Sequence, residues 1–161
     1  MRPITAAAMA LSILQMTSFP ALAETQCPAT QTMRGGANNY KPGAPLVQNL
    51  GTGWQVSGVV REAGSCAPIP GIRVQVWSAT DRGGEREPSN HGSVMTDANG
   101  RYVMPISEIR PMGGQLHIHV AYDDPGYERL FLRPVLGRGD RKAMTVDFVL
   151  QPTTGGNAQH S

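Results

Sequence analysis

A period of two constrains this chain more than any other feature. In 54–62 Val56, Gly58 and Val60 fall on one side; in 72–78 Ile72, Val74 and Val76 oppose Arg73, Gln75 and Trp77; in 115–122 Leu116, Ile118 and Val120 share a side. Such alternation belongs to half-buried strands, because successive side chains of a strand point to opposite faces. Runs 93–96, 101–104, 128–133 and 144–150 extend the set, the last with Met144, Val146, Phe148 and Leu150 on one side. The segment Asp97-Ala98-Asn99-Gly100 has the chemistry of a tight hairpin turn. With 19 glycines and 13 prolines among 161 residues, the turns between runs are short and frequent. The pattern predicts an all-β fold, a single β-sandwich of about seven strands over 54–151. Its expected core is Val56, Val60, Val74, Val76, Leu116, Ile118, Val120, Phe148 and Leu150. Residues 24–53 carry turn residues without a period and read as an N-terminal arm packed on the sandwich; 152–161 read as a flexible tail.

The first 23 residues read as a signal peptide. Arg2 gives a positive start, 4–19 are mostly apolar or small, and Ala21-Leu22-Ala23 supplies small residues before Glu24. The apolar stretch falls short of the roughly 20 residues of a spanning helix, and no later segment qualifies as transmembrane. The expectation is a secreted or periplasmic protein after cleavage. Its formal charge of +2, with scattered arginines, excludes the basic stripe of a nucleic-acid binder. An oxidising compartment permits Cys27 and Cys66 to pair, two unpaired thiols being the other reading.

His117 and His119 project together from the side opposite Leu116, Ile118 and Val120, their Cα atoms about 7 Å apart at strand rise. Two imidazoles so placed can grip one metal ion; a solvated polar strand face is the alternative. Third ligands are offered by Glu85, Glu87 and His91 in the long Gly/Pro loop before residue 93, or these form a solvated charged loop.

Several motifs in order, Asn39-Tyr40-Lys41-Pro42-Gly43-Ala44-Pro45, Ser65-Cys66-Ala67-Pro68-Ile69-Pro70-Gly71, Val74-Gln75-Val76-Trp77, Thr96-Asp97-Ala98-Asn99-Gly100-Arg101-Tyr102 and His117-Ile118-His119, resemble the intradiol ring-cleavage dioxygenases. The likeness runs from about Cys27 to Leu136. It implies a β-sandwich with a ferric site that binds a catechol and inserts dioxygen between its hydroxylated carbons. His117 and His119 match that family's histidine pair, and Cys27 and Cys66 match cysteines of its exported branch, which implies the bridge.

The chain departs from the family at the other ligands. Glu85 stands where the first tyrosine ligand falls, eight residues after Trp77; Arg110-Pro111-Met112-Gly113-Gly114-Gln115 lacks the second; and Gly114 replaces an arginine that steadies charge on the substrate, with Arg110 the candidate to reach its place and an exposed turn arginine the favoured alternative. Tyr102, Tyr122 and Tyr127 read as core or rim residues. Imidazole and carboxylate suit ferrous iron, copper or zinc rather than ferric iron. The expected metal ligands are therefore His117 and His119 with Glu85 or His91, the cofactor being iron by resemblance or else copper or zinc. Two function classes follow: a divergent exported dioxygenase-like enzyme with a small aromatic diol as substrate, or a non-catalytic sandwich that binds a metal, a small ligand or a protein partner. No catalytic residue is assigned.

Overall fold

The computed structural model describes residues 27–137 and 142–153; the expected signal peptide, and the tail beyond residue 153, lie outside them. Two sheets face each other. In the first, β1 (Trp54–Glu62) pairs antiparallel with β4 (Arg101–Ile106) and, on its other side, parallel with β7 (Ala143–Thr145) and then β8 (Phe148–Leu150). The second runs β3 (His91–Met95), β2 (Arg73–Trp77), β5 (His119–Tyr122), β6 (Leu130–Leu132), all antiparallel. No α-helix occurs among the described residues, only a 3-10 turn at Pro88–Asn90.

The alternation becomes the core as expected. Val56, Val60, Met104, Ile106, Phe148 and Leu150 from the first sheet meet Val74, Val76, Val120, Leu130 and Leu132 from the second and Ile118 just ahead of β5. Leu116 is only partly buried: strand β5 starts at His119, and Leu116 lies ahead of it, its carbonyl accepting from Leu136 N at 2.9 Å.

Two expected elements differ. Residues 144–150 are not one strand. Val146 N donates to Ser57 O at 2.7 Å while the Asp147 side chain takes Val59 N at 2.8 Å, so the ladder breaks into β7 and β8. Gly58 makes room for this, since a Cβ there would lie 2.0 Å from Val146 O. The turn 97–100 forms as read, with Asp97 Oδ1 accepting from Asn99 N and Arg101 N at 2.8 and 2.9 Å and Gly100 at φ +69°. It is not a hairpin, however, because β3 and β4 pair with β2 and β1 in different sheets. Turn chemistry fixes the reversal and leaves the partner of each strand to the core.

The arm covers the outer face of the second sheet. Trp77, assigned by alternation to the side away from the core, is fully buried there: its indole N–H donates to Asn38 O at 3.0 Å, and Gln75 Nε2 donates to Lys41 O at 3.0 Å. The arm is also woven into the body by Thr30 N to Val149 O and Met33 N to Phe131 O, at 2.9 and 2.8 Å. Its start is tied covalently by the disulfide Cys27–Cys66, with Cα atoms 5.3 Å apart across a sequence separation of 39. A loop of that length constrains the unfolded chain by about 4 kcal/mol in the chain-entropy model. Replacing both cysteines by serine is therefore expected to lower unfolding free energy in urea by about that amount, with the far-UV β spectrum retained; unchanged stability would show that the arm is held without the bridge.

Candidate metal centre

Glu85 reaches the sheet because its loop is held from behind. The fully buried Asn90 donates through Nδ2 to Gly83 O and Gly84 O, both at 3.0 Å, and accepts from Thr80 Oγ1 at 2.8 Å. The next residue, His91, donates its Nε2–H to the Glu85 carbonyl at 2.6 Å; a carbonyl only accepts, so this nitrogen carries the proton. Held at two points, the loop turns the Glu85 carboxylate inward, where it is 4% exposed.

There it meets both histidines, which are 3% and 0% exposed rather than solvated. Glu85 Oε1 lies 2.6 Å from His117 Nε2 and 3.5 Å from His119 Nε2, and one ligand atom from each of the three residues falls within 4.8 Å of the others. Among the described residues this is the one such group of His, Cys, Asp and Glu. Glu85 Oε1 is within hydrogen-bond distance of His117 Nε2, whereas His119 Nε2, buried and 3.5 Å from the same oxygen, has no well-aligned partner, although buried polar atoms ordinarily find one. Both belong to the point where the three side chains converge.

The surrounding bonds set which nitrogens are available. His119 Nδ1 donates to Gly36 O at 2.9 Å, which leaves Nε2 with its lone pair toward Glu85. Gly36 has to be glycine for that approach, since a Cβ would lie 2.3 Å from Phe131 O. His117 Nδ1 is within reach of Gln115 O at 3.1 Å and of Arg133 Nη2 at 3.2 Å. The carbonyl requires a proton on Nδ1 and frees Nε2 as a ligand; the guanidinium requires a bare Nδ1 and turns an Nε2–H onto Glu85. Trp77 stacks on His119 at 4.7 Å and 8° and on His91 at 5.7 Å and 10°, locking both rings.

Burial would push the Glu85 carboxyl up, but the hydrogen bond from Asn39 Nδ2 to Oε2 at 2.7 Å, together with His119 and His117, holds it below its ordinary value. Burial lowers both His91 and His119, in spite of the hydrogen bonds each makes to a backbone carbonyl.

Of the residues singled out in the sequence, Glu85, His117 and His119 come together. His91 sits behind Glu85 as a support for the loop, with no bond to either partner histidine. Arg110 is exposed and pairs with Glu108 at 3.6 Å. The tyrosines read as core or rim do lie away from the group: Tyr102 donates to Val146 O, Tyr122 to Pro125 O and Tyr127 to Glu62 Oε2, at 2.7, 2.8 and 3.1 Å. Hydrogen bonding to the Glu62 carboxylate adds to burial in pushing the Tyr127 phenol up to about 12. Sequence reasoning did not assign roles to Asn39, Gly36, Asn90, Trp77 or Arg133. Asn39 and Trp77 lay within the quoted motifs, but Gly36, Asn90 and Arg133 carried no signal in spacing.

No family model matches the chain, and no curated protein matches it. Solved structures do. The dioxygenase domain of a dioxygenase–carbohydrate-binding protein fusion from Streptomyces sp. SirexAA-E is 23% identical over 79% of this chain and 100% of its own, with a TM-score of 0.58. Hydroxyquinol 1,2-dioxygenase from Pseudomonas putida DLL-E4 is 16% identical over 83% and 69%, at 0.61. 3-Chlorocatechol 1,2-dioxygenase from Rhodococcus opacus 1CP is 17% identical over 81% and 75%, also at 0.61. The chain shares the fold of these dioxygenases. At such identities the likeness is one of architecture, and the chemistry has to be argued from the three buried side chains.

Their environment has a consequence for stability. An imidazole whose folded value lies below its unfolded one favours folding fully above about 6.5, and that contribution is lost as pH falls from there through the lowered value. The metal-free protein in chelator should therefore lose melting temperature between pH 7 and 5, as the unfolded chain takes up protons that folded His91 and His119 resist. A flat Tm profile across that range would contradict the burial of these rings.

Proposed function

We propose that this chain is an exported protein of dioxygenase fold that holds one divalent metal ion on Glu85, His117 and His119. The observation that carries the reading is the convergence of Glu85 Oε1 with two imidazole Nε2 atoms at a buried point where His119 Nε2 has no well-aligned hydrogen-bond partner. Two neutral nitrogens and one carboxylate oxygen fit the group: the same donor set serves ferrous iron in two-histidine-one-carboxylate sites and zinc in His₂Glu sites. When bound, such an ion supplies Lewis acidity and open positions for a small oxygen ligand. The chain's own part is to keep three donors dry and aimed: Gly36 O orients His119, Gln115 O is positioned to orient His117, and Trp77 clamps the His119 ring.

The resemblance implies phenolate donors for a ferric centre, and the three converging side chains include none. Tyr102, Tyr122 and Tyr127 donate elsewhere and burial raises each of them, while Tyr40 packs on Trp77 and Phe131; two imidazoles and a carboxylate suit a divalent ion. The disulfide supports a compartment outside the cytoplasm. A second reading, oxygen chemistry on an aromatic diol, is favoured by the fold, since two of the similar structures carry names of enzymes acting on hydroxyquinol and 3-chlorocatechol.

Metal analysis and calorimetry of the purified protein test the assignment. One divalent ion per chain is expected, with affinity falling as pH drops through about 6–7, because the ligands must be deprotonated. His117→Ala combined with His119→Ala should weaken binding by more than the roughly 10–100-fold that loss of an outer partner costs. A protein that takes up ferric iron, shows a visible charge-transfer band and opens the catechol ring would favour the second reading. Equal divalent-metal affinity in wild type and double variant would place the site elsewhere.

A further inference from the structure

Asn39 belongs to the arm, 46 positions before Glu85 in sequence, yet it touches the carboxylate at the centre of the metal site. Its Nδ2 donates to Glu85 Oε2 at 2.7 Å, and its Oδ1 accepts from Arg86 Nε at 3.1 Å. The arginine only donates, so it must face the amide oxygen, and the amide cannot be turned the other way round. The backbone is also committed: Asn39 has φ +57°, a left-handed conformation that asparagine tolerates better than most residues. Within the same turn, Gly36 O receives His119 Nδ1 and Asn38 O receives the Trp77 indole N–H. One short stretch of arm thus contacts two of the three ligand residues and the ring stacked on one of them.

Resting on the metal assignment above, we propose that Asn39 is a positioning residue for the metal: by binding Oε2 it selects Oε1 as the single oxygen that Glu85 presents to the ion, so that docking of the arm completes the site. With Oε2 occupied by the amide, Glu85 is a one-oxygen ligand and further positions around the ion stay open. Without the amide, the carboxylate is free to rotate and offer both oxygens. The arm is then part of the coordination design and not only a cover over a finished sheet.

The test uses the full mature chain loaded with cobalt(II), which reports coordination through its visible spectrum, and with zinc(II) for affinity. Asn39→Gly removes the amide and keeps the left-handed backbone, which glycine adopts freely. Gln31→Ala serves as control, deleting an exposed amide of the same arm that bonds Ala29 O. Asn39→Gly is expected to bind zinc about 10–100-fold more weakly, in the range for lost outer partners, and to change the cobalt spectrum, with circular dichroism as in wild type; Gln31→Ala should match wild type in all three. Wild-type affinity and an unchanged cobalt spectrum in Asn39→Gly would overturn the positioning role and leave the metal site standing. An equal loss of affinity in both variants, with the cobalt spectrum unchanged, would make Asn39 merely structural. Failure of the wild type to bind either metal would overturn the metal assignment and this inference together.

Discussion

A carboxylate that is 4% exposed has lost nearly all its water, and everything around Glu85 is arranged to compensate. Burying an ion without partners costs several kcal/mol or shifts its protonation; here an amide hydrogen bond and two imidazoles keep the carboxyl on the acidic side of its ordinary value. Those partners come from three places in the chain: Asn39 from the arm, His119 from β5, and His117 from the segment ahead of it. The loop bearing Glu85 is in turn fixed by Asn90 and His91. The N-terminal arm and the second sheet therefore meet at this acid as well as through the bonds of Trp77, Gln75 and His119 to arm carbonyls, and the arm covers the buried polar face of that sheet.

That face also separates what was readable from the residues from what was not. Strand β1 spans the run 54–62 that alternation defines, and the core side of β2 and β5 follows from Val74, Val76, Ile118 and Val120, since a two-residue period has one solution when one face is apolar. His117 and His119 are on a common side for the same reason. Their burial was not legible, because it depends on an arm with no period whose contacts are mostly backbone carbonyls, and carbonyls leave no mark in composition. The partner of Glu85 Oε2 was hidden likewise, since Asn39 looks like any turn asparagine until the fold sets it beside residue 85. The sheet-crossing turn at 97–100 and the break at Val146–Asp147 show a related limit. Turn residues declare a reversal, and alternation declares faces, but strand pairing is decided by the packing of distant segments.

The chain shares its architecture with hydroxyquinol and chlorocatechol dioxygenases at 16–17% identity. Fold alone does not carry function; the site does. What this chain places on that fold is a buried carboxylate and two imidazoles that could hold a metal ion.

The central claim is that one divalent ion occupies the point where Glu85, His117 and His119 meet, and anomalous diffraction from zinc-soaked crystals addresses it most directly. The account predicts a single strong peak at about 2.0–2.2 Å from Glu85 Oε1, His117 Nε2 and His119 Nε2, with Asn39 still on Oε2. A peak elsewhere, or none at this point under saturating zinc, would contradict it.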